Sequence, residues 1–254
     1  MDLGSAWTLS PRPVARSSPG DLHVRMRVQG RKVTGSRDAL VVLASGGVDS
    51  AILVVDEASH GRVVHPVYIR FGLAWEQVEE AHLRRFLAAL PDEQGIQPLT
   101  VLELPIADVY GTHWSVSGTD APDDTTPDDA VYLPGRNLLL LAKTTVWCAL
   151  HGVNGIALGT LGGNPFTDSS REFLSGLAGL ATLALSHPIE VLTPFAELTK
   201  ADVLERGRGL PLEHTFSCVA PVNGQHCRSC NKCAERRKAF AEAGIEDRTP
   251  YAPG

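Results

Sequence analysis

Residues 40–50 read LVVLASGGVDS and run directly into AILVVDEAS. An apolar strand that ends in a glycine turn and opens a helix leaves few folds available, because such a strand is normally buried on both faces. Gly46 and Gly47 let the backbone take φ > 0 and come close to a ligand. The helix that follows would point its free N–H groups and positive dipole end at the loop, which suits a phosphate-type anion. Ser45 and Ser50 add hydroxyl donors, and Ser50 or Asp49 can serve as the N-cap. The plain alternative is an ordinary glycine turn capped by Asp or Ser. No Gly-Lys-Ser/Thr follows, so the loop is not a Walker A motif.

Beyond this loop, strand and helix signals alternate. Strands are expected at 39–44, 63–69, 99–104 and 155–159, with a further one at 189–192. Helices are expected at 49–59, 74–90, 137–151, 171–185, 199–207 and 231–243. The alternation predicts an α/β fold: a Rossmann-like parallel sheet with helices on both faces and the ligand at the carboxyl ends of the strands. Three parts are expected: a leader over 1–37, a nucleotide-binding domain over 38–210, and a cysteine-rich module over 211–254. The leader carries seven Lys/Arg against two Asp. It reads as an irregular leader or, alternatively, a nucleic-acid arm, disordered over its first twenty residues. Leu22, Val24, Met26 and Val28 alternate with polar residues and predict an edge strand. The net charge of −6 argues against a broad nucleic-acid surface. No run of eighteen apolar residues is present, so no membrane span is expected. Residues 115–129 read SVSGTDAPDDTTPDD. The spacing of these five Asp matches no EF-hand, so they read as a solvated, mobile loop, with an active-site lid as the alternative.

Four of the five cysteines lie within sixteen residues: Cys218, Cys227, Cys230 and Cys233. Close Cys-x-x-Cys pairs place two sulfurs on one ion, and four thiolates complete a tetrahedral zinc site. Disulfides, a redox pair and an iron–sulfur cluster are the alternatives. No signal peptide precedes the domain, which argues against an oxidising compartment and for a cytoplasmic enzyme. Cys148 lies in an apolar helical pattern and reads as a core residue. His214 and His226 flank the cluster and read as bystanders.

The SGGVDS string resembles the pyrophosphate-binding loop of the PP-loop ATP pyrophosphatases, which transfer AMP to a carbonyl or carboxyl oxygen. With Leu133-Pro134-Gly135-Arg136-Asn137 and the tail from Leu198, the chain is similar to the 7-cyano-7-deazaguanine synthase (QueC) family over about residues 39–251. The resemblance implies an adenine nucleotide alpha hydrolase-like fold and a C-terminal zinc-binding helical module ligated by the four cysteines. It implies ATP with Mg2+, 7-carboxy-7-deazaguanine and ammonia as reactants, and a homodimer. Asp49, Arg136 and Lys200 would carry the chemistry. Ser45, Gly46, Gly47, Val48, Ser50, Arg70 and Gly135 would join them around ATP. Asn164, Phe166 and Asp168 would face the deazaguanine, although Asn164 and Asp168 also suit a turn and a helix cap.

The chain departs from the family pattern at two places. The stretch 161–173 lacks the acid and tyrosine expected just after the strand, and Ser169 replaces a cysteine. Residues 68–76 replace the usual Asp-Tyr-Gly-Gln run. The nitrile-forming synthase therefore stands beside a ligase that passes the adenylated acyl group to another amine, including a protein amine. A third reading is a non-catalytic nucleotide-binding subunit, against which the intact Ser45, Asp49, Arg136 and Lys200 argue.

Overall fold

The computed structural model describes residues 38–91 and 95–253. The leader and its expected edge strand at 22–28 lie outside the described residues. Strand β1 (Ala39–Leu43) leads into helix α1 (Val48–Ser59), and β2 (Val63–Arg70) into α2 (Glu76–Ala89). After β3 (Thr100–Glu103) come two single-turn helices, α3 (Ala107–Tyr110) and α4 (Trp114–Ser117), then α5 (Arg136–His151). β4 (Gly155–Ala157), α6 (Arg171–Leu185), β5 (Glu190–Leu192), α7 (Lys200–Arg206) and α8 (Asn231–Glu242) complete the order. Within the described residues, every expected strand and long helix is present, with ends displaced by two residues at most. The unexpected α3 and α4 are too short to show an apolar period.

Among the described residues all strand pairings are parallel, in the order β3-β2-β1-β4-β5. β1 pairs with β2 from Ala39↔Val63 to Leu43↔Val67, and with β4 from Leu40↔Gly155 to Val42↔Ala157. The sheet grows in opposite directions from β1, so a crevice opens between the carboxyl ends of β1 and β4. Successive side chains of β1 serve opposite layers. Val41 and Leu43 belong to a core with Leu141 and Cys148 of α5 and Leu174 of α6. Leu40 and Val42 belong to another, with Ile52 of α1, Phe86 of α2, Leu204 of α7 and Phe240 of α8. Each fully buried Leu or Phe contributes about 1.5–3 kcal/mol. Phe240 ties the cysteine-rich module into the same core as β1 and α1.

The described aspartates of the Asp-rich stretch, Asp120, Asp123, Asp124 and Asp129, are exposed as its composition predicts, but its main chain is not free. Asp123 bridges Cys230 in antiparallel fashion. The Asp124 amide donates to Ser229 O at 3.0 Å, and the Asn231 amide donates to Pro122 O at 3.0 Å. Asn231 Nδ2 donates to Thr126 O at 2.9 Å. Main-chain groups that water would otherwise satisfy thus find partners on the cysteine module. The Asp123 carboxylate accepts from the Thr125 amide and hydroxyl at 2.9 and 2.7 Å, which shapes the turn. Among the described residues, no helix is long and apolar enough to cross a membrane.

Candidate active site

The glycine loop closes the carboxyl end of β1. Gly46 sits at φ +78°, where an L side chain is strained, and an added Cβ would lie 3.1 Å from Glu79 O. The helix cap is Gly47, in place of the Asp49 or Ser50 expected from sequence. Ser50 holds the loop from inside: its hydroxyl donates to Gly47 O at 3.1 Å and accepts from the Ser45 amide at 3.1 Å. The Ser45 hydroxyl meets Ser50 Oγ at 3.2 Å. Phe216 N donates to Gly46 O at 2.8 Å, so the chain leading into the cysteine module also braces the loop.

Lys200 reaches this loop because of a capping box. Thr199 Oγ1 accepts from the Asp202 amide at 3.2 Å, and Asp202 Oδ2 accepts from the Thr199 amide at 2.9 Å. Such a cap is worth about 1 kcal/mol and starts α7 at Lys200. Lys200 Nζ contacts Asp49 Oδ2 at 2.5 Å and Glu235 Oε1 at 3.7 Å. Burial opposes charge on this lysine, but Asp49 and Glu235 outweigh it and hold its pKa above the ordinary value. The other Asp49 oxygen, Oδ1, is buried without a hydrogen-bond partner among the described residues, as is Arg136 Nε.

Arg136 opens α5 after Gly135. Glu79 lies beneath the loop, where it accepts from Tyr68 OH at 2.8 Å. Burial pushes its pKa up to about 7, while the nearby Arg136 charge pulls the other way.

Two cavities of about 180 Å3 each flank the loop and share Ser45, Gly47, Asp49 and Arg136. One is charged, with Lys200, Lys232, Glu235 and Arg236. The other has apolar walls from Leu43, Val67, Ile69, Leu140 and Leu158, with Asn137 and Thr160 at its edge. Polyphosphate chemistry suits the first and a flat heterocycle suits the second. Gly159 allows β4 to approach α1, since a Cβ there would lie 3.2 Å from the Ser50 amide nitrogen.

Several expected residues lie elsewhere. Arg70 is bound to Glu80 through two contacts of 2.7 and 3.0 Å and to Glu103 at 3.2 Å. It lines neither cavity, and its guanidinium is engaged by these two carboxylates. Asp168 caps α5 from a distant segment, accepting from the Asn137 amide at 3.1 Å. Asn164 Oδ1 accepts from the Phe166 amide at 2.9 Å, which is a local turn. The Phe166 ring stacks on Tyr132 with centroids 5.0 Å apart. None of these three residues lines either cavity. Sequence reasoning missed Glu79, Lys232, Glu235 and Arg236. Lys232, Glu235 and Arg236 recur at i, i+3, i+4 on α8, a spacing that reads as a solvated face until the cysteines anchor the helix.

The four cysteine Sγ atoms lie within 4.8 Å of one another. Cys227 and Cys233 are 3.9 Å apart, and Cys218 and Cys230 are 3.8 Å apart. Four sulfurs about 2.3 Å from one tetrahedral ion would be about 3.8 Å apart. A cubane iron–sulfur cluster, with each thiolate on a different iron, needs a wider spread. Amides of Ala220 and Cys227 donate to Cys218 Sγ at 3.4 and 3.3 Å, and the Cys230 amide donates to Cys227 Sγ at 3.2 Å. Donors arranged this way favour thiolates. His226 stays outside the cluster, with Nε2 accepting from the Ser217 amide at 3.1 Å. Cys148 is a core thiol, pushed up to about 12 by burial.

A sequence profile described as "Queuosine biosynthesis protein QueC" matches residues 39–244. The 7-cyano-7-deazaguanine synthase of Syntrophobacter fumaroxidans is 32% identical over 232 residues, covering 85% of this chain and 97% of that one. The synthase of Erythrobacter litoralis is 31% identical over 229 residues, covering 85% and 93%. Among solved structures, a 4-thiouridine synthetase in complex with RNA and bound ATP is 16% identical. Its TM-score is 0.46, over 82% of this chain and 50% of that one.

Proposed function

The chain belongs to the QueC family, and from that premise we propose that it makes 7-cyano-7-deazaguanine from 7-carboxy-7-deazaguanine, ammonia and ATP. The supporting observation is convergence: the 45–50 loop, Arg136 and Lys200, from three distant segments, line one cavity. Adenine would take the apolar cavity, and the phosphates would cross the loop into the charged one.

In this reading a carboxylate oxygen of the substrate attacks the α-phosphorus of ATP, and the bond to the β-phosphate oxygen breaks. The α1 N-terminus and the Lys200 ammonium take up the charge that grows on the departing pyrophosphate. Arg136, with Nε unspent, serves the transferring phosphate. Ammonia adds to the acyl carbon, AMP leaves with the C–O electron pair, and loss of a proton gives the amide. The amide oxygen then takes AMP from a second ATP. Expulsion of that AMP with loss of both N–H protons leaves the nitrile. Positioning and charge stabilisation account for these steps without a nucleophilic side chain.

Mg2+ bound with ATP supplies charge neutralisation on the phosphates, and the buried, unpartnered Asp49 Oδ1 suits it. Zn2+ is the proposed ion of the four thiolates, where it cross-links the C-terminal module.

One observation favours a second reading. Asp168 and Asn164 are occupied by a helix cap and a turn, so the expected deazaguanine contacts are not offered to a ligand. A rebuilt acceptor pocket would suit acyl transfer to a different amine, including a protein amine. The test is incubation of the purified protein with MgATP, ammonia and 7-carboxy-7-deazaguanine, read by mass spectrometry. A nitrile with AMP and pyrophosphate is the expected outcome. An accumulated adenylate or amide, or a mass added to a protein amine, would move the assignment to the second reading. No AMP at all would refute both.

A further inference from the structure

We propose that Lys232, lodged between two cysteines of the metal cluster, is a pyrophosphate-binding cation of the ATP site, and that Glu235 orients it. The inference rests on the ATP reading above. Lys232 follows the α8 cap residue Cys230 by two positions and directly precedes Cys233. Cys230 and Cys233 both hold the cluster, so the first turn of α8 is clamped at both of its sulfurs. Lys232 in that turn, with Glu235 and Arg236 just beyond it, lines the charged cavity. The start of α8 therefore carries two cysteines of the cluster and, beside them, a lysine of the charged cavity.

The charges in the cavity form an alternating chain. Asp49 meets Lys200 at 2.5 Å, Lys200 meets Glu235 at 3.7 Å, and Glu235 meets Lys232 at 2.6 Å. Three segments far apart in sequence contribute to it: the glycine loop, α7 and α8. Without a ligand, the two lysines share Glu235 between them. A pyrophosphate group held at the glycine loop brings more negative charge and more acceptor oxygens than one carboxylate. Lys232 is only half-buried, so its ammonium can turn from Glu235 to such a group without crossing the core. The plain alternative is an i,i+3 helix-surface pair, worth about 0.2–0.5 kcal/mol. That alternative does not account for both partners of Glu235 being lysines of one cavity.

The test is calorimetric titration of the full, metal-loaded chain and its Lys232→Met and Lys232→Arg variants with Mg2+ pyrophosphate and, separately, with AMP. Metal content and Tm are measured on the same samples. Lys232→Met is expected to weaken pyrophosphate roughly tenfold or more, the loss of one charge-assisted contact, and to leave AMP affinity, metal content and Tm unchanged. Lys232→Arg should keep most of the affinity. Unchanged pyrophosphate binding in Lys232→Met would overturn the assignment. So would equal losses of pyrophosphate and AMP with a lower Tm, which mark a structural role. If the unmodified chain bound neither pyrophosphate nor AMP, the ATP reading itself would fail.

Discussion

Asp49 has one oxygen on Lys200 and the other buried without a partner. Lys200→Met would leave its charge unbalanced at the cavity floor. Urea unfolding should show a loss of about 1–3 kcal/mol, because the pair is part-exposed and water screens some of the deficit. Pyrophosphate release should fall by a factor of about 100 or more, the cost of removing a preorganised charge from a leaving group. A variant as stable and as active as the parent would disprove the pairing. Glu79 gives a pH test. Its folded pKa is raised to about 7 from an ordinary 4.5, so its protonated form suits the fold and its ionised form does not. The stability it contributes is present below pH 4.5 and is lost as the pH rises through 7. Glu79→Gln cannot ionise and can still accept from Tyr68. Its Tm relative to the parent should therefore climb between pH 5 and pH 8. A difference that stays constant with pH would show that burial does not perturb Glu79.

At the scale of elements, the functional side chains are delivered by caps and clamps more than by the strands. The Thr199–Asp202 box starts α7 at Lys200, and Asp168 caps α5 one residue after Arg136. The cysteine cluster holds the first turn of α8. The 122–126 segment is tied to that same turn by main-chain bonds and by Asn231 Nδ2 on Thr126 O. Asn231→Ala removes the side-chain tie. Limited proteolysis should then cut between residues 118 and 130 several-fold faster, since local opening sets cleavage there. Equal cleavage rates would mean that the main-chain bonds alone hold the segment.

At the scale of the whole molecule, the cysteine module and the sheet share one core through Phe240, and Phe216 N braces Gly46. Metal-binding energy at the thiolates should therefore appear as folding energy for the nucleotide domain as well. Cys230→Ser, or removal of the metal by a strong chelator, should lower Tm by about 5 °C or more, taking a loss of a few kcal/mol at this chain length. The glycine loop should become more open to hydrogen exchange in parallel. A metal-free chain with an unchanged Tm would contradict a structural metal.

The sequence by itself determined the strands and long helices from Ala39 onwards, the parallel α/β class, the glycine loop and the four-cysteine cluster. Each of these rests on local order along the chain: apolar runs between turns, two adjacent glycines before a helix, and cysteines three positions apart. Lys200 and Arg136 were legible only through their motifs, since each alone reads as a surface charge. Tertiary structure decided the rest. Whether Glu79 is solvated or buried depends on what packs above α2, and the helical pattern of 74–90 does not contain that information. Arg70 and Asp168 carry charges suited to a ligand, but Glu80, Glu103 and the Asn137 amide reach them first. Lys232 and Glu235 look like an exposed helix pair until the cysteines turn α8 towards Lys200. Strand and helix propensity are written in neighbouring residues, whereas burial and charge pairing depend on segments that meet only once the chain has folded.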